Sequence, residues 1–151
     1  MHHRIKIRVL RKRGATMATE HLTQLEGADL EEVLARRFSE ETLVSWLKSV
    51  LEGRRLTRIE VIRASKLNST FGYQIIAGSR HASRDKLLQL AFGLKLSPEE
   101  TSRMLMLGGH APLLEDNRRD AIVAWCLANG RCLEEADDIL WNHGEGTVAE
   151  R

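Results

Sequence analysis

The sequence predicts an all-α protein, and three observations support that prediction. Apolar residues recur every three or four positions in short blocks from Leu30 to Leu140, the spacing that lays one apolar stripe along a helix. Nearly every block is preceded by Ser, Thr, Asp or Asn, whose side chains accept from the unpaired N–H groups of a helix's first turn. Two prolines and 5% aromatic residues suggest neither a proline-rich linker nor a long β-sandwich.

Each helix has its own local justification. Asp29 can cap a first helix, with Glu31 and Glu32 at its positive end and Leu30, Val33, Leu34 and Phe38 on one face. Ser39 restarts the pattern and caps a helix over about 40–52. Leu43, Trp46, Leu47, Val50 and Leu51 form its core face, and Gly53 is the expected stop. Thr57 caps a short helix with Ile59, Val61 and Ile62 apolar. Ser65, Lys66 and Leu67 make a turn, and Asn68 or Ser69 caps a second short helix. That helix turns Phe71, Ile75 and Ile76 inward and ends at Gly78. Two helices this short hold only if they pack on one another and on a larger body.

Ser83 caps the next helix, with Leu87, Leu90, Ala91 and Leu94 apolar. Ser97-Pro98-Glu99-Glu100 is the clearest boundary: a serine cap, proline at the first position and a glutamate that closes a capping box. Its helix places Met104 and Met106 as core filler and stops at Gly108-Gly109. Asp116 or Asn117 opens a helix to about 128 with Ala121, Ile122, Trp125 and Cys126 facing in. A last helix runs over about 133–141 with Leu133, Ala136, Ile139 and Leu140 apolar.

The domain reading is a basic, flexible arm over 1–28, a helical bundle over 29–107, a C-terminal helical extension over 108–143 and a frayed tail over 144–151. Three readings stay open for residues 1–16: a short strand, a basic arm that enters a groove, or a stretch ahead of a natural start at Met17.

Composition narrows the function. With 42% hydrophobic residues and no apolar run near ~18, the chain is expected to be a soluble, cytoplasmic domain. Cys126 and Cys132 are too few for a disulfide scaffold and are expected to be reduced. The six histidines lack metal-site spacing, so neither metal nor cofactor is expected. There is no phosphate loop or nucleophile elbow, and the acidic pairs Glu134-Glu135 and Asp137-Asp138 read as a solvated helix face, so no catalysis is expected.

The net charge of +2 hides segregation: residues 1–16 net +6, 17–53 net −5, 54–86 net +6 and 87–151 net −5. The second basic block coincides with the helix pair over 56–78. Local charge is what a polyanion meets at close range.

The stretch Leu56–Leu107 resembles the phage-repressor-like, Xre-type helix-turn-helix domain. The resemblance lies in Thr57, in Gln74-Ile75-Ile76-Ala77-Gly78-Ser79-Arg80, in Ala82-Ser83-Arg84-Asp85-Lys86, and in Leu90-Ala91 followed by Leu94-Lys95-Leu96-Ser97. Phe71-Gly72-Tyr73-Gln74, Gly109-His110, Arg118-Arg119-Asp120-Ala121-Ile122 and Leu133-Glu134-Glu135 resemble a narrower bacterial subgroup with an extra C-terminal helical pair, which extends the likeness over about 39–143. Lys66, Ile76 and Ala82 stand where glycine, glutamate and proline are usual, and Gly72 replaces an apolar residue.

The resemblance implies a lambda-repressor-like bundle of five short helices, here with an N-terminal helix and two further C-terminal ones. It implies a sequence-specific DNA-binding regulator of the repressor class, with helix 69–77 in the major groove. Asn68, Ser69, Thr70, Tyr73 and Gln74 would then face bases, and Thr57, Arg58, Lys66, Arg80, Ser83 and Arg84 would face phosphates. A homodimer through the C-terminal helices would fit a two-fold site. The departures at Lys66 and Ile76 leave open an alternative: a non-catalytic helical adaptor that binds a protein such as a kinase or toxin on the same scaffold.

Overall fold

A computed structural model describes residues 25–36 and 38–150 of the chain. The described residues contain eight α-helices and no strand. The proposed arm over 1–16 and the start at Met17 lie outside them. The chain divides into two units after Glu40.

The first unit contains α1 (Leu30–Leu34). Only five residues long, α1 ends before Phe38 can join its face, and Leu30, Leu34 and Phe38 are all exposed. One turn and a half is too short to hold a helix without burial.

The second unit starts at Glu41 and contains α2 (Leu43–Arg54), α3 (Arg58–Ala64), α4 (Ser69–Ala77), α5 (Arg84–Leu94), α6 (Pro98–Leu107), α7 (Arg118–Ala128) and α8 (Leu133–Asn142). Helix α5 is its axis. Every residue from Leu87 to Leu94 is buried, and α3, α6 and α8 all pack on it. The expected four-residue face of this helix widens to its whole C-terminal two-thirds because helices cover it on several sides. Val123, Cys126, Leu133, Ala136 and Leu140 join Leu47, Ile62 and Leu90 in one core, so the C-terminal pair is not a separate layer.

Helix ends explain several differences from the expected pattern. Thr42, not Ser39, caps α2: its hydroxyl accepts from Ser45 N at 3.1 Å, and its own N–H donates to the Ser45 hydroxyl. Gly53 does not end this helix. The helix continues to Arg54, whose guanidinium donates to Leu94 O, Lys95 O and both Glu100 oxygens, and Arg55 takes the left-handed stop at φ 55°. Lys66 does the same after α3 at φ 58°, in the turn where a glycine is usual. For a residue with a Cβ that conformation costs about 1–2 kcal/mol.

Two glycines mark close approaches. A Cβ on Gly72 would lie 2.8 Å from Ile62 Cγ1, so the glycine admits the Ile62 side chain of α3. A Cβ on Gly93 would lie 1.9 Å from Ser65 Oγ and 2.6 Å from Val61 O, so α5 meets the backbone of α3 there. Ser65 is fully buried and returns its hydroxyl to Val61 O at 2.6 Å, while its carbonyl accepts from Gln89 Nε2.

Helix α7 is rotated from the expected orientation. Asp120, Val123, Cys126 and Leu127 face in, whereas Ala121 and Trp125 face out. Arg84 supplies the physical reason. Its guanidinium holds the Asp120 carboxylate under the 111–114 loop, which fixes the helix about its axis. Met106 is also exposed, unlike its expected partner Met104. Residues 144–150 are bound rather than frayed. The Asp137 carboxylate accepts from Val148 N at 2.6 Å and Ala149 N at 3.0 Å, Arg119 donates to Gly146 O and Thr147 O, and Val148 is buried.

Candidate nucleic-acid interface

Helix α4 divides cleanly into two faces. Gly72, Ile75 and Ile76 are buried, while Ser69, Thr70 and Tyr73 are exposed and Gln74 is half-exposed. The spacing of the buried residues sets this rotation, so the face follows from the sequence pattern. Asn68 is the cap. Its Oδ1 accepts from Phe71 N at 3.1 Å, which commits the oxygen and leaves its NH₂ outward. Gly78 stops the helix at φ 82°.

The expected phosphate ligands fall into two groups. Arg58 and Arg80 are exposed and have no ion pair among the described residues. Arg80 lies over the Phe71 ring, 5.1 Å from its centroid, and its Nη1 donates to Gln74 Oε1 at 3.4 Å. It therefore borders the outward face of α4.

Thr57, Lys66, Ser83 and Arg84 all have internal partners. The Thr57 hydroxyl accepts from Glu60 N and donates to Glu60 Oε1 at 2.7 Å, and this bonding holds the Glu60 carboxyl below its usual range. A carboxylate thus already occupies the start of α3. Lys66 Nζ lies 2.7 Å from Glu134 Oε2, and that bond pushes the ammonium pKa up. The Ser83 hydroxyl accepts from Lys86 N. Arg84 is the most committed of them. Its Nη1 and Nη2 donate to Asp120 at 3.0 and 2.9 Å, Nη2 also to Pro112 O, and Nε to Ala111 O.

Half of the basic block is absorbed in this way. Arg54, Lys66, Arg84 and Lys86 pair with Glu100, Glu134, Asp120 and Glu150, all from the acidic segment that follows. Arg55, Arg58, Arg63 and Arg80 remain, exposed and unpaired among the described residues. The pairs span 36 to 68 positions in sequence, beyond the reach of any local pattern.

One residue absent from the sequence-based set joins the site. Arg55 lines an open groove of about 880 Å³ with Arg58 and Tyr73, floored by Val44, Leu51, Leu56, Ile59 and Ile76. Its left-handed backbone at the α2–α3 corner has no signature in the sequence. The outward face of α4 thus has Arg55 and Arg58 along one side and Arg80 along the other.

No group of three or more His, Cys, Asp or Glu among the described residues is arranged to hold a metal ion. Cys126 is buried, and burial pushes its thiol up. No described helix is long and apolar enough to cross a membrane. Comparison with protein families, with curated proteins and with solved structures finds no match for the chain.

Proposed function

We propose that the chain is a sequence-specific DNA-binding regulator of the repressor class that inserts α4 in the major groove. The observation that supports this is the outward row Ser69, Thr70, Tyr73 and Gln74, bordered by unpaired arginines on both sides. Gln74 suits bidentate bonding to adenine, Ser69 and Thr70 are permissive donors and acceptors, and the Thr70 methyl suits thymine. The Asn68 NH₂ remains available at the helix start. Arg55, Arg58 and Arg80 would meet phosphates, which position the helix without reading sequence. Thr57, Lys66, Ser83 and Arg84 serve the fold on this reading.

Fluorescence anisotropy with duplexes selected from a random pool tests it. Arg58→Ala and Arg80→Ala should each weaken every duplex and lower the slope of log K against log salt by ~0.9. Gln74→Ala should change the preferred sequence instead. An absence of binding at low salt, or unchanged slopes in both arginine variants, would sink the proposal.

The groove favours a second reading. Its floor is apolar and it opens beside Tyr73, so a helical or extended protein segment could dock there, as a non-catalytic adaptor would require. Selected duplexes that fail to bind while Arg55→Glu and Tyr73→Ala abolish binding of a protein partner would favour this reading.

A further inference from the structure

The groove beside α4 combines an apolar floor with cations that no carboxylate neutralises. Val44, Leu51, Leu56, Ile59 and Ile76 make the floor, and Tyr73 lines it too. Val44 and Tyr73 keep 40% and 42% of their surface, so two large apolar side chains are left uncovered here. Lys48, Arg55 and Arg58 line the same groove, against one acid, Glu52. All three cations are exposed, and none is in a salt bridge among the described residues. Arg55 is also held at φ 55°, where glycine would be less strained.

Three kinds of occupant could meet these cations. A phosphate backbone would use them but leave the apolar floor bare. A protein segment would use both, yet twelve residues line the groove, against about twenty to thirty on each side of a stable protein interface. A small molecule fits the size: about 880 Å³ lies within the roughly 300–1,000 Å³ of ligand sites.

We propose that the groove binds a small apolar carboxylate, with its hydrocarbon on the floor and its carboxylate at Arg55 and Arg58. Removal of the hydrocarbon from water drives the binding, and the guanidinium groups select an acid over the matching alcohol. This binding is independent of DNA. Its consequence rests on the DNA reading: a bound acid neutralises Arg55 and Arg58 and covers Tyr73, so acid and duplex compete for one surface.

Isothermal titration of the full chain with straight-chain acids from octanoate to myristate, kept below micelle formation, tests this. Each added methylene should tighten binding about two- to fourfold while the chain still lies on the floor. Arg55→Gly relieves the left-handed backbone, so it should melt at or above the wild-type Tm and yet bind decanoate about threefold more weakly. Arg58→Ala should weaken decanoate by a similar factor, and the double variant by about tenfold. Decanol should bind the wild type and these variants alike. Ala77→Glu, at an exposed position in the lining, should weaken acid and alcohol together. Saturating acid should weaken every selected duplex. No saturable binding of any acid at ~1 mM would overturn the proposal. So would arginine variants that bind decanoate as the wild type does, or that lose decanol equally. A duplex bound with unchanged affinity beside the acid would overturn the competition. A chain that binds acid but no duplex would support this inference and count against the DNA reading alone.

Discussion

Arg84 stands in the basic block, yet its partners make it part of the fold, and the two roles predict opposite results for Arg84→Ala. The substitution removes four hydrogen bonds at once, two to Asp120 and two to the carbonyls of Ala111 and Pro112. Asp120 is 3% exposed and would keep only the Leu114 N–H, at 3.0 Å, on its carboxylate. Stranding one charge of a buried pair costs about 3–5 kcal/mol. Arg84 is itself 25% exposed, so water can partly replace it, and the lower figure of about 3 kcal/mol applies. For a unit near a hundred residues that lowers Tm by ~12 °C. Asp120→Ala strands the arginine and should cost a similar amount. The double variant should lose clearly less than the two losses added, with a coupling of about 2 kcal/mol. Urea unfolding followed through the tryptophans gives all four corners of the cycle. An Arg84→Ala protein that melts like the wild type but shows a reduced DNA salt slope would refute the reasoning and return Arg84 to the phosphates.

Gly93→Ala should cost about 3 kcal/mol in the same unfolding assay, because its Cβ meets the Val61 carbonyl and α3 must move; a loss under about 0.5 kcal/mol would show that the helices can part freely. Gly72→Ala should cost less, about 1–2 kcal/mol, since only the Ile62 side chain obstructs it, and adding Ile62→Ala should recover part of that loss. Glu100 gives a pH dependence. Burial pushes its carboxyl up, but the Ser97 N–H and the Arg54 guanidinium pull it down further, so its folded pKa lies below the ordinary 4.5. The contribution is therefore present above about pH 4.5 and lost as pH falls through the folded value, and Glu100→Gln should flatten the acid limb of a Tm–pH curve. Lys95→Gly, at φ 56° with its side chain exposed, should raise stability by about 1 kcal/mol; a lower Tm would contradict it.

Most helix starts were legible because each is a local event, although the cap of α2 falls on Thr42 and not on Ser39. Thr57, Asn68, Ser83, Ser97 and Asn117 all cap where a hydroxyl or amide precedes an apolar period. Helix ends were less so. The left-handed stop after α2 falls on Arg55, past an Arg54 whose partners lie forty or more positions away, and no nearby residue signals that. The outward face of α4 was legible from Ile75 and Ile76. The rotation of α7 was not, because alanine fits either face and the deciding residue, Asp120, is an acid that reads as solvent-facing until Arg84 is beside it. The same holds for Asp137, which reads as part of a solvated face but binds the backbone of the C-terminal segment.

Charge is where the sequence misleads most, and the salt dependence of DNA binding measures by how much. Were all eight basic side chains over 54–86 free to meet phosphates, there would be eight charged contacts. At a slope of about 0.9 per neutralised phosphate, that would be ~7 per protomer. The structure assigns four of the eight to carboxylates of the following segment, and Arg63 is on α3 outside the groove beside α4. Arg55, Arg58 and Arg80 are left, which gives a slope of about 2.7. The two values differ too widely to be confused in one titration between low and moderate salt. A slope near 7 would mean that the ion pairs of Arg54, Lys66, Arg84 and Lys86 all open on DNA and that Arg63 joins them. A slope near 3 that falls by about one with each of the three arginines removed would mean that the internal pairs survive docking, and that the acidic C-terminal segment limits the DNA surface to the borders of α4.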